Sequence, residues 1–184
     1  MNQGRSLDQQ KIGSFCEQRA TQLLREGLRL VREQKIEDAK LRFTDSHRLM
    51  PSPESLTFWG WAEAALGDLD RGIELCMKAI ELDGEFGNPY NDVGTYYMRK
   101  GDLEQAIPWL EAAKKAKRYD SPHFPFINLG RVYLAQFRLP EALKEFEQAL
   151  KLDPWNGEIR EVVGQLRVRV APGAAALVTS AEPA

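Results

Sequence analysis

The chain has 184 residues, 43% hydrophobic and 28% charged, and its 25 Lys and Arg stand against 27 Asp and Glu for a net charge of −2. A balance this close to neutral argues against a general polyanion binder, nucleic acids included. Two Cys and two His are too few for a disulfide scaffold or a Cys/His zinc module, and they leave His-dependent catalysis, a metal site and a cofactor without support.

Residues 1–19 form an N-terminal extension that begins MNQGRSLDQQKIGSFCEQR. It lacks the apolar stretch of a secretory signal, and Cys16 follows Gly13, Ser14 and Phe15 without the apolar run that a lipoprotein signal needs. No segment reaches the roughly 20 apolar residues that span a bilayer. The expectation is a cytoplasmic protein with reduced thiols and no membrane insertion. Residues 1–7 are expected to fray, and 8–18 to extend the first helix or form a short one of their own.

From residue 20 onward the chain repeats itself. GDLDRGIELCMKAIELDGEF (67–86) aligns with GDLEQAIPWLEAAKKAKRYD (101–120) and with FRLPEALKEFEQALKLDPWN (137–156). A weaker copy, QKIEDAKLRFTDSHRLMPSP, covers 34–53. A similar unit precedes each copy, carrying Gly27, Gly60, Gly94 and Gly130 at one equivalent place. Such periodicity marks a stacked-repeat architecture. Each repeat reads as two amphipathic helices. Tyr90, Val93, Tyr97 and Met98 fall on one helical face, and Leu103, Ala106, Ile107, Leu110 and Ala113 on another. Gly101 ends the first of these helices and Asp102 caps the second; Gly67 and Asp68 repeat the break. Pro89 and Pro140 suit first turns, whereas Pro108 is expected to bend its helix. No segment alternates with period two, so the chain is predicted to be all-α. Residues 157–170 read as a capping helix with Ile159, Val162, Val163 and Leu166 turned inward and Arg160, Arg167 and Arg169 outward. The small-residue tail 171–184 is expected to be disordered.

These residues resemble the tetratricopeptide repeat (TPR) family. The repeat 87–120 supplies Tyr90, Val93, Gly94, Tyr97, Gly101, Ala106, Leu110 and Ala113 at the signature places. The repeat 123–156 supplies Phe126, Leu129, Gly130, Tyr133, Ala142, Phe146, Ala149 and Pro154. The repeat 53–86 keeps Leu56, Trp59, Gly60, Gly67, Leu69 and Ala79 but has Gly72 and Gly84 where Ala and Pro are usual, and 20–52 is degenerate. The resemblance implies a right-handed superhelical solenoid of about four TPR helix pairs plus the C-terminal cap. The turn YDSPHFPFINLGRVYL (119–134), with two extra residues, is similar to that of small bacterial TPR proteins serving secretion or pilus assembly, although the lipid signal of the pilus type is missing.

No phosphate loop, HExxH, CxxC or GxSxG is present, so the chain is not expected to be an enzyme. His47 and His123 read as surface or interhelical residues and Cys76 as core. The basic run AAKKAKR (112–118) reads as a solvated helix C-terminus. The TPR resemblance places a peptide-binding groove on the first helices of the repeats. Carried over by position, it comprises Trp61 in the second repeat and Asn88, Asn91, Thr95, Met98 and Arg99 in the third. Phe124, Ile127, Asn128, Arg131 and Leu134 follow in the fourth. Ala64, Ala65, Leu24, Leu28, Val31 and Arg32 extend the same wall. The asparagines suit a peptide backbone, the arginines carboxylates, and the apolar members side-chain pockets. The clamp by which some TPR domains hold the tails of heat-shock chaperones falls on Thr57, Trp61, Asp92, Phe124 and Asn128, or in another frame on Leu24, Leu28, Phe58, Asn88 and Asp92. Neither set contains the required basic pair, and no such binding is expected. The predicted function is a protein-interaction adaptor or chaperone-like module for a protein or peptide partner. A self-assembling scaffold (a homo-oligomer) and an accessory subunit of secretion or pilus assembly are the alternatives.

Overall fold

A computed structural model describes residues 2–171, and among them the chain is helical throughout. The elements are α1 (Asn2–Arg32), α2 (Ile36–Leu49), α3 (Pro53–Ala65), α4 (Leu69–Leu82), α5 (Gly87–Arg99), α6 (Leu103–Ala113), α7 (Phe124–Ala135), α8 (Leu139–Leu152) and α9 (Gly157–Val170). Consecutive helices pack in antiparallel pairs, and α3, α5 and α7 also touch across the intervening second helices. This neighbour-only packing makes a solenoid. Residues 8–18 extend α1, which runs from Asn2, rather than forming a separate helix. The tail predicted to be disordered lies outside the described residues except for Ala171.

One turn geometry joins the helices within all four pairs. Gly67 and Gly101 have φ of +106° and +80°, and Gln34 and Phe137 adopt 60° and 59° at the equivalent places. In each turn the next amide donates five residues back: Lys35 to Leu30, Asp68 to Glu63, Asp102 to Tyr97 and Arg138 to Tyr133, at 2.8–2.9 Å. This is the Schellman closure, which favours glycine because a Cβ is strained at positive φ. Asp68 and Asp102 then cap α4 and α6 by accepting from the Arg71 and Gln105 amides. Ser52 and Ser55 form a capping box at α3, and Asn156 caps α9. Pro108 is accommodated inside α6.

The signature glycines mark where paired helices cross. An added Cβ at Gly27 would lie 2.3 Å from Phe43, at Gly94 2.6 Å from Leu110, and at Gly130 2.7 Å from Phe146. At Gly60 it would lie 2.9 Å from the Gly72 carbonyl. Large side chains of the second helices therefore fill the space that these glycines leave open. At the C-terminal end Ile127, Ala142, Phe146 and Ala149 form one buried cluster with Ile159, Val163 and Leu166 of α9. That contact seals the last repeat, while Arg160, Arg167 and Arg169 remain exposed.

In the basic run after α6, Lys115, Lys117 and Arg118 are exposed as expected of a solvated helix end, and Lys114 departs from it. Lys114 reaches both carboxylate oxygens of buried Glu145 on α8, at 3.0 and 3.2 Å, and Glu111 at 3.1 Å. Burial opposes the charge on Lys114, but the hydrogen bonds to Glu145 and Glu111 outweigh it and raise the ammonium above its ordinary value. Lys117 pairs with Glu85. Arg118 holds Asp83 at 2.6 Å and Glu54 at 2.5 Å while lying over the Phe86 ring. Backbone bonds join Gly87 to Arg118 and Arg118 to Glu85, forming an isolated parallel bridge at Phe86. Tyr119 packs where Gly87 lacks a side chain, at 2.7 Å from the Cβ that glycine omits. The loop before α7 is thus strapped along the turn before α5.

Candidate functional site

The first helices of the pairs build a continuous inner wall from α1 through α3 and α5 to α7. It holds a cleft of about 220 Å³ between α1, α3 and α5. Leu28 and Val31 line it from α1, Thr57, Phe58 and Trp61 from α3, Asn88 and Asp92 from α5, and Phe43 closes the floor from α2. Helical spacing puts Asn88 and Asp92 one turn apart on a single face, as it does Thr57 and Trp61.

The polar groups of the cleft are poorly satisfied. The Asn88 Oδ1 is buried and has no hydrogen-bond partner among the described residues. Asp92 keeps a side open to the cleft, but its carboxyl is packed round by protein. Burial pushes its pKa up to about 7, an effect only partly offset by a hydrogen bond from the Asn91 amide. Thr57 turns its hydroxyl back to the Pro53 carbonyl at 2.7 Å. Behind Asp92, burial raises the Cys76 thiol well above its ordinary value, and the carboxylate adds to that effect.

The sequence-predicted groove residues divide among several roles. Trp61 and Asn88 meet in this cleft, with Leu28 and Val31 of the extended wall. Asn91 and Asn128 meet one repeat further on: the Asn128 amide donates to Asn91 Oδ1 at 2.9 Å, and both are buried. This pair joins α5 to α7 and uses polar capacity that the sequence reading assigned to a ligand. The Thr95 hydroxyl is bonded to the Asp92 carbonyl at 2.8 Å. Arg99 is exposed and donates to the Ala64 carbonyl at 2.9 Å, against the C-terminal end of α3. Met98 packs on the cluster of Ala106, Leu110, Leu129 and Val132. Ile127 is buried, and it and Leu134 belong to the cluster shared with α8 and α9. Phe124 is exposed with its ring centroid 4.3 Å from that of His123. Arg131 is exposed and lies 3.5 Å from Glu158 at the start of α9. Leu24 lines a different cleft, of about 390 Å³, between α1 and the turn before α3.

Phe43, Thr57, Phe58 and Asp92 are the cleft residues absent from the predicted groove set, Phe43 as a core residue of α2. For Thr57, Phe58 and Asp92 a signal was available. Thr57 and Asp92 occupy clamp positions where the expected basic and amide residues fail, and an acidic residue at such a position reverses the local charge. His47 proves to be interhelical: its Nδ1 is 2.9 Å from the Ser55 hydroxyl, and burial, then Lys78, lower its pKa. Cys76 is fully buried. Among the described residues no group of three or more His, Cys, Asp or Glu is placed to hold a metal, and no helix is long and apolar enough to cross a membrane.

Similarity to known proteins follows the repeats. The human mitochondrial import receptor subunit TOM70 is 44% identical over 46 residues, which is 25% of this chain but only 8% of TOM70. Among solved structures, Pseudomonas aeruginosa PilF superposes with a TM-score of 0.77 at 19% identity, over 84% of this chain and 70% of that one. The first TPR of Spaghetti (RPAP3), bound to the HSP90 peptide SRMEEVD, superposes with a TM-score of 0.59 at 21% identity, over 66% of this chain and 97% of that one. At such identities these two structures speak for the fold alone. Tetratricopeptide repeat models match residues 53–86, 88–120 and 124–154. The matched segments cover more than half of the sequence, coincide with the helix pairs α3–α4, α5–α6 and α7–α8, and contain the crossing glycines Gly60, Gly94 and Gly130. The chain belongs to the tetratricopeptide repeat family.

Proposed function

We propose that this protein is a non-enzymatic adaptor that holds an extended peptide segment of a partner protein along the inner wall of α1, α3, α5 and α7. The observation carrying this reading is the α1–α3–α5 cleft. It combines apolar walls with an Asn88 acceptor that has no hydrogen-bond partner among the described residues. A concave, mostly apolar site with a few converging polar groups is the usual form of a recognition site. The exposed Arg99, Phe124 and Arg131 continue the wall toward α9. The role is chaperone-like: it shields and positions a segment without altering covalent bonds. A cytoplasmic setting accords with the two free cysteines, Cys16 and Cys76.

The test is capture of partners by the tagged protein, with identification by mass spectrometry. Asn88→Ala combined with Arg131→Ala removes two polar contacts of the wall without opening the core. Loss of the captured set, with helical circular dichroism unchanged, is the expected outcome. Recovery of the same partners at the same yield removes the inner wall from the account.

Self-assembly is the second reading. Ile12 and Phe15 are 63% and 68% exposed, three residues apart on the stretch of α1 that precedes the buried Ala20. A second copy that covers them yields a concentration-dependent mass in light scattering. A constant monomer mass excludes it.

A further inference from the structure

The α1–α3–α5 cleft presents acceptors, one of them a carboxyl, but its lining carries no cation. Asp92 presents a carboxyl and Asn88 a buried, unpartnered Oδ1, one helical turn apart on α5. Among the described residues no Lys or Arg pairs with Asp92, and none lines the cleft. The remaining wall is aromatic and aliphatic, with Trp61 and Phe58 on α3 facing Leu28 and Val31 on α1. By contrast, the buried Glu145 is bonded to Lys114 through both carboxylate oxygens. A buried carboxyl left without a counter-charge is costly unless something supplies one. We propose that the cleft is a specificity pocket for a basic side chain, an arginine in preference to a lysine, carried by the bound peptide.

The chemistry of the pocket selects that occupant. A guanidinium is flat and rich in donors, so it can donate to Asp92 and to Asn88 Oδ1 while its face rests on an aromatic ring. Its aliphatic stem suits Leu28 and Val31. A volume of about 220 Å³ falls below that of ordinary small-molecule sites and fits a single side chain. An acidic group entering the pocket would meet the Asp92 charge with no cation to offset it. The failed clamp positions thus have a positive meaning: the pocket has the opposite sign to one built for a carboxylate. The occupant is not supplied by residues 172–184 of the chain, because that segment contains no Lys or Arg.

This inference rests on the inner-wall reading, and the experiment separates the two. A phage-displayed library of random dodecapeptides is selected on the full chain and, in parallel, on Asp92→Asn. The enriched peptides are then synthesised with Arg, Lys, citrulline or Glu at the selected position. Binding is followed by fluorescence anisotropy and by the NMR signal of the Trp61 indole N–H. The expected result is enrichment of one basic position on the wild type. Citrulline should weaken binding at least tenfold, Lys less than citrulline, and Glu should abolish it. Asp92→Asn should bind the Arg and citrulline peptides equally. Enriched peptides that perturb Trp61 but show no basic preference, or that lose nothing with citrulline, overturn the basic pocket and leave the groove intact. Failure to enrich any peptide that perturbs Trp61 overturns the groove as well. The citrulline comparison uses only wild-type protein, so it stands even if Asp92→Asn misfolds.

Discussion

The same substitution, glycine to alanine, is predicted to have opposite effects at two helical sites. At Gly164 on α9 nothing lies within 4 Å of the position an added Cβ would take. Alanine there gains only helix propensity, about 0.8–1 kcal/mol. At Gly130 on α7 the added Cβ would lie 2.7 Å from two carbons of the Phe146 ring and 2.9 Å from a third. Phe146 is 1% exposed and packed among Ile127, Ala142, Ala149 and α9, so the ring has no free direction in which to move. Overpacking of this kind costs about 1–3 kcal/mol, and with the ring boxed in the cost outweighs the propensity gain. Gly130→Ala should therefore lower stability by up to about 2 kcal/mol while Gly164→Ala raises it by nearly 1 kcal/mol. For a chain of this length each kcal/mol moves Tm by about 2–4 °C. Circular dichroism melts of the two variants and the wild type give the order directly. Pairing Gly130→Ala with Phe146→Leu should recover part of the loss, because leucine vacates the space the new methyl enters. A Gly130→Ala protein that melts at or above wild type would refute the argument that steric need, rather than chance, keeps glycine at the crossing.

Three further outcomes follow from the geometry. Phe137 has φ of 59° and a side chain 88% exposed, so Phe137→Gly should relieve left-handed strain and raise stability by about 1 kcal/mol in urea titration; an unchanged midpoint would contradict the strain. Lys114→Met leaves Glu145 without its cation and should cost about 1–2 kcal/mol, whereas adding Glu145→Leu should restore most of the loss, since an apolar pair replaces an ionic one; equal melts for the single and double variants would count against this. Burial lifts Asp92 to about 7, above its ordinary 3.8, so between these values the folded state binds more protons than the unfolded chain. The group therefore lowers stability as pH rises from about 4 to about 7, and Asp92→Asn removes that penalty. The shift sets a ceiling of about 4 kcal/mol, and the side open to the cleft reduces the expected gain at pH 8 to about 2 kcal/mol, closing toward pH 4. Urea midpoints across that range check the sign, and a gain independent of pH would assign it to packing instead. Cys76, Tyr96 and Tyr119 are the titratable groups coupled to Asp92, and all three are held neutral in this window by burial.

The sequence by itself determined the helices, their pairing and their caps. Local chemistry sets those features: Gly67 and Gly101 at the turns, Asp68 and Asp102 as caps, apolar residues with a period near 3.6, and small residues where helices cross. Even the exceptions kept the repeat phase, since Gln34 and Phe137 adopt the turn that glycine takes elsewhere. Tertiary structure alone decided which inner-wall side chains stay available. The spacing placed Asn91 and Asn128 on the inner wall, but only stacking α7 on α5 brings the two amides into contact. Lys114 read as solvated because its buried partner Glu145 lies far along the chain, and the pairing of the exposed Lys117 and Arg118 with Glu85, Asp83 and Glu54 is equally non-local. The clamp alignment put Asp92 on the inner wall, but nothing in the sequence showed it desolvated; that comes from the three helices and the Trp61 side chain packed around it. Local sequence encodes periodicity and termini, whereas desolvation and pairing are properties of the assembled stack.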